Sequence, residues 1–368
     1  MKDFFDRGFD DKTSIKLGLY EKYLTEFLGV WVALSPKDRK TTEIDIYDFF
    51  AGPGIDVNQA PGSPIVAFEV IQKFAERLAS SGQKVRLWLS DNHKKRVTSL
   101  KSVFSDKSKW PKNTSIEIHE MEFGDALDAN RHRLGKTPAL IFADQFGVKC
   151  ITPDVFRDLI TFKATDLIFF ISSWTLNRFT EHEHIAKYHQ GIGDYLKNAK
   201  PEHIHRMVKE YYQSLVPAGC DYHLAPFSMK KKGNIHGIIF GTSHISGMRK
   251  FLKVAWDIDS ERGEADFDID NDQLIGDSPQ MDLIGDDRAP KKIEVFQEEL
   301  KSAILEGRLK NDKAVHEFSI FSGFWPTKHA KPIIQELYKS GALLIEGGGV
   351  RLSDECCKAP RRFTLPEQ

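Results

Sequence analysis

The sequence predicts an α/β protein built on a doubly wound, mostly parallel sheet. Apolar runs of strand length recur through the first half of the chain and are separated by helix-like segments. Most of these runs are followed closely by an acidic residue, and the first also leads into a turn of small residues. In open α/β sheets ligands bind at the carboxyl ends of the strands, so these ends are where function is expected.

The first predicted strand, Ile44 to Asp48, leads into the turn Phe49-Phe50-Ala51-Gly52-Pro53-Gly54. Its two glycines allow positive φ angles and a close approach of ligand to backbone. A P-loop would need a Lys-Ser/Thr pair where this chain has Ile55-Asp56, and a dinucleotide fingerprint would need a third spaced glycine. Asp48 would repel pyrophosphate and attract a cation. The turn therefore predicts S-adenosylmethionine, with an ordinary glycine-rich turn as the alternative.

Two further strands end in the same way. Lys84 to Leu89 is followed by Ser90-Asp91, and Ser115 to Glu122 is followed by Phe123-Gly124-Asp125. An acid after the second strand commonly accepts hydrogen bonds from ribose, so Asp91 is predicted to bind ribose and Asp125 the adenine amino group. Each acid has a structural alternative as a loop or helix cap. The predicted cofactor-binding residues are Asp48, Phe50, Ala51, Gly52, Pro53, Gly54, Asp91, Asn92, Asp125 and Ala126.

The fourth strand, Ala139 to Ala143, is almost wholly apolar, which is typical of a central parallel strand. It is followed by Asp144-Gln145-Phe146-Gly147. Amino-group methyltransferases carry a polar-aromatic tetrad here, in which an acid accepts hydrogen bonds from the target NH2 and a ring stacks on a flipped base. The predicted catalytic residues are Asp144, Gln145, Phe146 and Gly147. A strand cap followed by a core phenylalanine is the alternative.

The remaining elements extend this sheet. Leu167 to Ile171 is a fifth strand, and residues 177–219 have the apolar spacing of a helical insertion. Two more strands, Tyr222 to Phe227 and Ile235 to Thr242, match the antiparallel hairpin that closes class I methyltransferase sheets. The predicted fold class is therefore a Rossmann-like, class I methyltransferase α/β sheet with a helical insertion and a C-terminal winged helix.

This order of elements predicts four segments of the chain. They are an N-terminal helical cap (1–43), a methyltransferase-like domain (44–256), an acidic linker (257–290) and a winged-helix domain with its tail (291–368). The linker is assigned by charge, since residues 257–287 hold 12 acidic residues and one basic residue. The winged helix is predicted to have three helices, Ile293 to Leu305, Ala314 to Phe321 and Thr327 to Leu337, followed by two short strands around a glycine wing within residues 343–352. Its third helix offers Lys328, His329 and Lys331 to nucleic acid. Protein docking by this domain stays open as an alternative.

Several of these motifs together resemble one family. The strand and turn at 47–54, the segment Pro61-Gly62-Ser63-Pro64-Ile65-Val66-Ala67, the Gly124-Asp125 pair and the 144–147 tetrad resemble the three-Cys-motif partner (TcmP) family. The resemblance implies a class I SAM-dependent methyltransferase-like protein. It also implies a separate partner protein, similar to radical-SAM enzymes, that contains three cysteines. Members usually read Asp-Pro-Phe-Gly in the tetrad, where this chain has Gln145.

Cysteine usage predicts a reducing, cytoplasmic setting without a metal site. The four cysteines are Cys150, Cys220, Cys356 and Cys357, and no Cys-x-x-Cys occurs. The adjacent pair is expected to be two free thiols near the tail. No apolar run approaches the roughly 18 residues that a membrane helix needs, so no membrane partner is expected.

Two functions follow as hypotheses. The first is a SAM-dependent methyltransferase that acts on an exocyclic amino group of an RNA or DNA base. The second is a non-catalytic or accessory SAM-fold subunit that recognises a substrate for the three-cysteine partner. A methyltransferase of proteins or small molecules is a weaker third.

Overall fold

The computed structural model describes residues 11–145, 147–179, 187–231, 234–272 and 290–366. The chain divides into two compact units, Met1–Gly247 and Met248–Gln368. The predicted boundary at residue 256 therefore falls within the second unit. Part of the predicted acidic linker lies outside the described residues.

Within the described residues, seven strands of the first unit form one sheet in the order β3-β2-β1-β4-β5-β7-β6. The first five strands pair in parallel, while β7 is antiparallel to both β5 and β6. This order with a reversed last hairpin is that of the class I methyltransferase fold, as the sequence predicts. The strands are β1 (Glu43–Asp48), β2 (Lys84–Asp91), β3 (Thr114–Glu120), β4 (Ala139–Ala143), β5 (Thr165–Ile171), β6 (His223–Lys231) and β7 (Asn234–Thr242).

The topology reverses between β1 and β4, which are neighbours at the middle of the sheet. Chain connections leave this point in opposite directions, so a crevice opens at the carboxyl ends of the two strands. The central position predicted for β4 is confirmed, and all five of its residues are buried. Asp48 ends β1 level with Phe142 of β4, which brings both strand ends to the same edge.

Helices cover the sheet of the first unit. They are α1 (Asp11–Ala33), α2 (Ser63–Lys73), α3 (Ala75–Ser81), α4 (Lys94–Val103), α5 (Phe123–Asn130), α6 (Pro153–Leu159), α7 (Ser173–Arg178), α8 (Ile192–Leu196) and α9 (Ile204–Ser214), followed by α10 (Ile245–Ile258), which runs across the unit boundary. Among the described helices, none is long and apolar enough to span a bilayer.

The N-terminal helix α1 is part of the core of the first unit. The Tyr20 ring stacks on Phe142 of β4 at 4.2 Å between centroids. The Tyr23 hydroxyl donates a 2.7 Å hydrogen bond to Asp166 of β5, which also accepts one from Thr242 of β7. α1 therefore docks on β4 and β5, and its Tyr23 ring also packs against Phe240 of β7.

The predicted helical insertion contains α8 and α9, and α9 packs on the sheet. Tyr212 is buried and donates a hydrogen bond to the Ile151 carbonyl at 2.5 Å. The His205 ring is buried against β7, where its Nε2 donates to Ile238, and a Cβ on Gly237 would lie only 2.1 Å from it. Glycine is required at position 237 because the imidazole occupies that space.

The second unit contains helices and one short antiparallel strand pair. The elements are α11 (Lys292–Leu305), α12 (Asp312–Phe321), α13 (Pro326–His329), α14 (Lys331–Lys339), β8 (Leu344–Ile345), α15 (Asp354–Lys358) and β9 (Phe363–Thr364). The predicted order of three helices is present, with the third divided into α13 and α14. The hairpin predicted for residues 343–352 is wrong, because β8 pairs with β9 instead of residues 350–352.

The described part of the predicted acidic linker is packed in the second unit. Arg262 is 4% exposed and forms ion pairs with Asp259 and Asp268. Ala265 and Ile269 are buried as well. The expectation of a solvated linker is therefore wrong for this part, because a buried cation neutralises some of the acids and apolar side chains anchor the segment.

A buried ion-pair network holds the amino ends of the central strands. Asp45 of β1 is fully buried and accepts two hydrogen bonds from Arg133, at 2.8 and 2.9 Å, and two from Arg86. The Tyr47 hydroxyl donates a further one. Burial alone would raise the pKa of Asp45, but the bonds from Arg133 and Arg86 hold it below its usual value. Asp45 is therefore ionised and paired.

We expect Asp45→Ala to lower the free energy of unfolding by about 3–5 kcal/mol, because two guanidinium groups would lose their buried partner. Since the folded pKa is depressed, this contribution is present above the ordinary pKa of about 4 and is lost as pH falls through the folded value. Chemical denaturation of the full chain measures it. Asp154→Asn is the matched control, because Asp154 is 94% exposed in its pair with Arg157 and should cost under about 1 kcal/mol. Equal losses in the two variants would contradict the role given to Asp45.

Candidate functional site

The site is built around Asp48 at the carboxyl end of β1. Its side chain is fully buried, and Oδ1 accepts a hydrogen bond from the Phe50 amide at 3.1 Å. No hydrogen bond of normal geometry reaches the buried Oδ2 from the described residues. A buried carboxylate oxygen without a partner is costly unless a ligand or a proton satisfies it.

The environment of Asp48 raises its pKa to about 7. Burial is the main cause, and the charges of Asp144 and Asp91 add to it, while Ser63 and the Phe50 amide act in the opposite direction. The three strand-end acids are therefore close enough to interact electrostatically. A cluster of carboxylates at a topological switch point favours a cationic ligand.

Asp91 connects β2 to the glycine turn. Its Oδ2 accepts a hydrogen bond from the Gly52 amide at 3.1 Å, and its Oδ1 accepts one from the His93 amide at 2.8 Å. Arg96 lies 3.5 Å from Oδ2. Asp91 thus holds the turn in shape, and Gly52 with φ of 62° and Gly54 with φ of 88° have the left-handed backbone that the sequence predicts.

The residues predicted to bind adenine line the adjacent strand end. Asp125 is exposed in the first turn of α5, and Ala126 beside it is buried. Asn92 donates to Glu122 at 3.1 Å, which joins the loops after β2 and β3. Phe50 stacks on Phe123 with centroids 5.5 Å apart. The Phe50–Phe123 stack therefore brings the start of α5 beside the turn.

Asp144 follows β4 and carries a lysine partner from α1. Lys16 Nζ donates to both carboxylate oxygens, at 2.8 and 2.5 Å, and lies 4.4 Å from the centre of the Phe170 ring. The two side chains are partly buried, with 12% and 26% of their areas exposed. An ammonium nitrogen therefore occupies the place on Asp144 that the sequence predicts for a target amino group.

The other members of the tetrad differ in their surroundings. The Gln145 side chain is buried and bonded within the protein, since it accepts from the Cys150 and Ile151 amides and donates to the Phe170 carbonyl. Gly147 has φ of 85°, which suits a glycine turn. Phe146 lies outside the described residues. Gln145 therefore braces the loop after β4 through its side chain.

The fit of this site to S-adenosylmethionine rests on unsatisfied buried atoms. Besides Asp48 Oδ2, the Tyr20 hydroxyl is buried without a hydrogen-bond partner among the described residues. Burial raises the pKa of Tyr20 well above its usual value, and the charge of Asp48 adds to this. A ligand with a positive sulfur and an ammonium group matches the acids, and its polar groups match the two orphaned oxygens.

Four side chains at the site are not among the residues that the sequence predicts to bind or react. They are Lys16, Tyr20, Ser63 and Phe170. Tyr20 and Lys16 are separated by one helical turn, so one face of α1 carries both, but their contact with β4 depends on how α1 docks.

The predicted nucleic-acid contacts of the second unit have unequal exposure. Lys328 is exposed and Lys331 is half-buried. His329 is 3% exposed, packs 4.1 Å from the Trp256 ring centre, and has a pKa lowered to about 4, chiefly by burial. The prediction for His329 is wrong, because its imidazole is neutral and belongs to the aromatic core of this unit.

Comparison with known proteins gives distant structural likenesses. No family model matches the chain, and no curated protein matches it. Similar solved structures include the DszA carbon methyltransferase, with 13% identity, 63% of this chain and 55% of that chain covered, and a TM-score of 0.40. An rRNA methylase from Streptococcus thermophilus is 10% identical, with 61% of this chain and 93% of the methylase chain covered and a TM-score of 0.30. A SAM-dependent methyltransferase from Agrobacterium tumefaciens is 12% identical, with 64% of this chain and 62% of that chain covered and a TM-score of 0.32.

The chain spans just over half the length of the DszA chain. Because the TM-scores are low, these similarities do not indicate the activity of this protein. The assignment of the first unit to the class I methyltransferase fold rests on the strand order and on the reversed β6–β7 hairpin.

We expect Asp48→Asn to stabilise the ligand-free protein at pH 8. The folded pKa of about 7 lies above the unfolded value of about 4, so the wild-type protein loses stability as pH rises from 4 through 7, by about 4 kcal/mol at most. The asparagine variant lacks this loss. Thermal unfolding of the full chain from pH 5 to pH 8.5 measures the difference. Asp128→Asn, at a largely exposed site, is the control, and a variant curve parallel to the wild-type curve would contradict the prediction.

Proposed function

We propose that this protein is a SAM-dependent methyltransferase that acts on an exocyclic amino group of a nucleic-acid base. The observation that carries the proposal is the buried Asp48 carboxyl, which feels the charges of Asp144 and Asp91 at the carboxyl edge of a class I methyltransferase sheet. When bound, S-adenosylmethionine supplies an electrophilic methyl group on a positive sulfur.

The chain's own residues divide into binding and orienting roles in this proposal. Asp48 and the turn at 50–54 hold the methionine part, Asp91 with Asn92 holds the ribose side, and Asp125 with Ala126 borders the adenine. Asp144 accepts hydrogen bonds from the target amino group and orients its lone pair. Orientation of this kind supplies much of the rate in a transfer that needs no covalent nucleophile.

Lys16 sets a condition on this reaction. Its ammonium bonds to both oxygens of Asp144, so a neutral amino group must displace it before Asp144 can orient the substrate. A lysine side chain has a flexible four-carbon stem, which lets the ammonium leave while α1 stays docked. The Lys16–Asp144 pair is therefore a competitor for the substrate position.

The second unit is proposed to contribute nucleic-acid contacts through Lys328 and Lys331. Both lie at the α13–α14 junction, where a winged helix would present its recognition helix. Two lysines supply little affinity by themselves, so binding would be weak and salt-dependent. Protein docking by the same surface is the competing proposal.

One observation favours a second candidate function. The Lys16–Asp144 pair occupies the position that would accept the target amino group, and Gln145, which stands in place of the family's proline, is bonded within the protein. These features suit an accessory SAM-fold subunit that recognises a substrate for a separate enzyme. The three-cysteine partner implied by the family resemblance would then supply the chemistry.

We expect S-adenosylmethionine to bind about 10-fold more tightly at pH 8 than at pH 6, because a cationic ligand favours the ionised form of Asp48, whose pKa is about 7 in the free protein. Isothermal titration calorimetry measures the affinity and the protons released. The Asp48→Asn variant cannot ionise at this position, so any pH dependence that it keeps comes from the ligand or from other groups. Absence of binding at millimolar ligand would reject the cofactor, and equal pH profiles for both proteins would reject the role of Asp48.

We expect Lys16→Met to raise kcat/KM for methyl transfer, because it frees Asp144, and Asp144→Asn to abolish most of the transfer. Radiolabelled S-adenosylmethionine with total tRNA, rRNA and denatured DNA as separate acceptors measures this. Lys22→Met is the matched control, since Lys22 is an exposed lysine on the same helix. Label in protein or small-molecule fractions would change the substrate class. Tight cofactor binding without label in any variant would favour the accessory function.

A further inference from the structure

A second chemical cluster lies in the second unit and is independent of the methyltransferase proposal. It consists of His316 on α12 and the adjacent Cys356 and Cys357 on α15. One donor atom from each side chain lies within 4.8 Å of the other two, and Cys357 Sγ is 3.9 Å from His316 Nδ1. Among the described residues, this is a group of three side chains with donor atoms suited to a metal ion.

Buried polar atoms at this cluster lack partners. His316 is fully buried, and its Nε2 has no hydrogen-bond partner among the described residues. Asp312, one turn earlier on α12, is also fully buried, and its Oδ2 is unpartnered in the same part of the chain. Native proteins rarely leave a buried carboxylate oxygen unsatisfied, so the one on Asp312 needs an explanation. The nitrogen near Cys357 is Nδ1, so a cation held there leaves Nε2 as the protonated nitrogen. The charge of Asp312 raises the pKa of Cys356 and therefore reaches the cluster, where a bound cation would balance it.

The distances match those of a zinc site. Zinc bonds of about 2.3 Å to sulfur and about 2.0 Å to nitrogen, at tetrahedral angles, separate sulfur from nitrogen by about 3.6 Å and the two sulfurs by about 3.8 Å. The observed sulfur–nitrogen separation of 3.9 Å differs from this by a few tenths of an ångström. The remaining separations between donor atoms are within 4.8 Å, so all three side chains can approach one cation.

The protonation state of His316 also suits metal binding, whereas the two thiols must give up their protons to the metal. Burial, together with the charge of Arg249, lowers the pKa of His316 to about 4, so its imidazole is neutral at pH 7 and keeps a free lone pair. Burial raises the pKa of Cys356 to about 12, with further contributions from Cys357 and Asp312. A thiol in this state keeps its proton until a cation displaces it.

We propose that His316, Cys356 and Cys357 bind a thiophilic divalent cation of the zinc type, with a fourth position open to water. The cation displaces one proton from each thiol and forms one nitrogen and two sulfur bonds. It joins α15 to α12. Asp354, which begins α15, accepts hydrogen bonds from Nε and Nη2 of Arg249, each at 3.0 Å, so the cysteine-bearing helix is already anchored beside the histidine.

Cobalt(II) titration of the reduced full-length chain tests this site, because thiolate coordination gives Co2+ strong charge-transfer absorption. We expect one Co2+ per chain, displaced by one equivalent of Zn2+. Cys357→Ser should weaken binding by on the order of 100-fold or more, and it should fold normally because Cys357 is only partly buried. Cys220→Ser is the matched control, since Cys220 is exposed and belongs to the first unit.

The outcomes separate cleanly. Loss of the absorption in Cys357→Ser and in His316→Ala, with circular dichroism unchanged and Cys220→Ser equal to wild type, supports the site. A rise in the unfolding temperature with Zn2+ that is absent in Cys357→Ser supports it independently of spectroscopy. No Co2+ uptake by the reduced wild-type chain, or equal uptake by a Cys356→Ser/Cys357→Ser variant, overturns it. S-adenosylmethionine binding is not involved in any of these measurements.

Discussion

Parallel pairing of β1 with both β2 and β4 is the constraint on which the site depends. The register sets Asp48 level with Leu89 on one side and Phe142 on the other, so three strands end at one edge. Because the topology reverses between β1 and β4, connections leave that edge open. Asp91 and Asp144 then fall beside Asp48 although they are far apart in sequence, and their charges reach it. The acid cluster is a consequence of topology.

Helix α1 is the second determinant, because it links the core to the site. Tyr23 and Tyr20 fix the helix on β5 and β4, and Lys16, one turn before Tyr20, then meets Asp144. The two anchoring tyrosines are buried, whereas the lysine contact is partly exposed. Tyr20 and Tyr23 therefore hold the helix in place, while a different residue of the same helix, Lys16, must move when a substrate binds. Opening the acceptor position requires a side-chain rotation instead of undocking of the helix.

Local patterns predicted most of the sheet and only part of the site. β4 has the bounds that its apolar run indicated, since every residue is buried on both faces. Asp48, Asp91 and Asp144 were predicted because each follows a strand. The β8–β9 pairing was missed because it joins segments far apart in sequence, and the glycines at 347–349, all with positive φ, do not form a hairpin turn between residues 343–345 and 350–352. The contact of Lys16 with Asp144 and the burial of His329 depend on helix docking, which a single sequence does not encode locally.

Two carboxylates of β1 differ in how the fold satisfies them. Asp45 and Asp48 are three positions apart on one strand, and both are fully buried. Arg86 and Arg133 pair with Asp45 and lower its pKa, while Asp48 lies among other acids with an unpartnered oxygen and a pKa raised to about 7. The same fold has thus satisfied one buried acid and left its neighbour unsatisfied at the ligand edge. An unpaired buried carboxylate lowers stability, and in the proposed function the positive charge of the cofactor is what balances it.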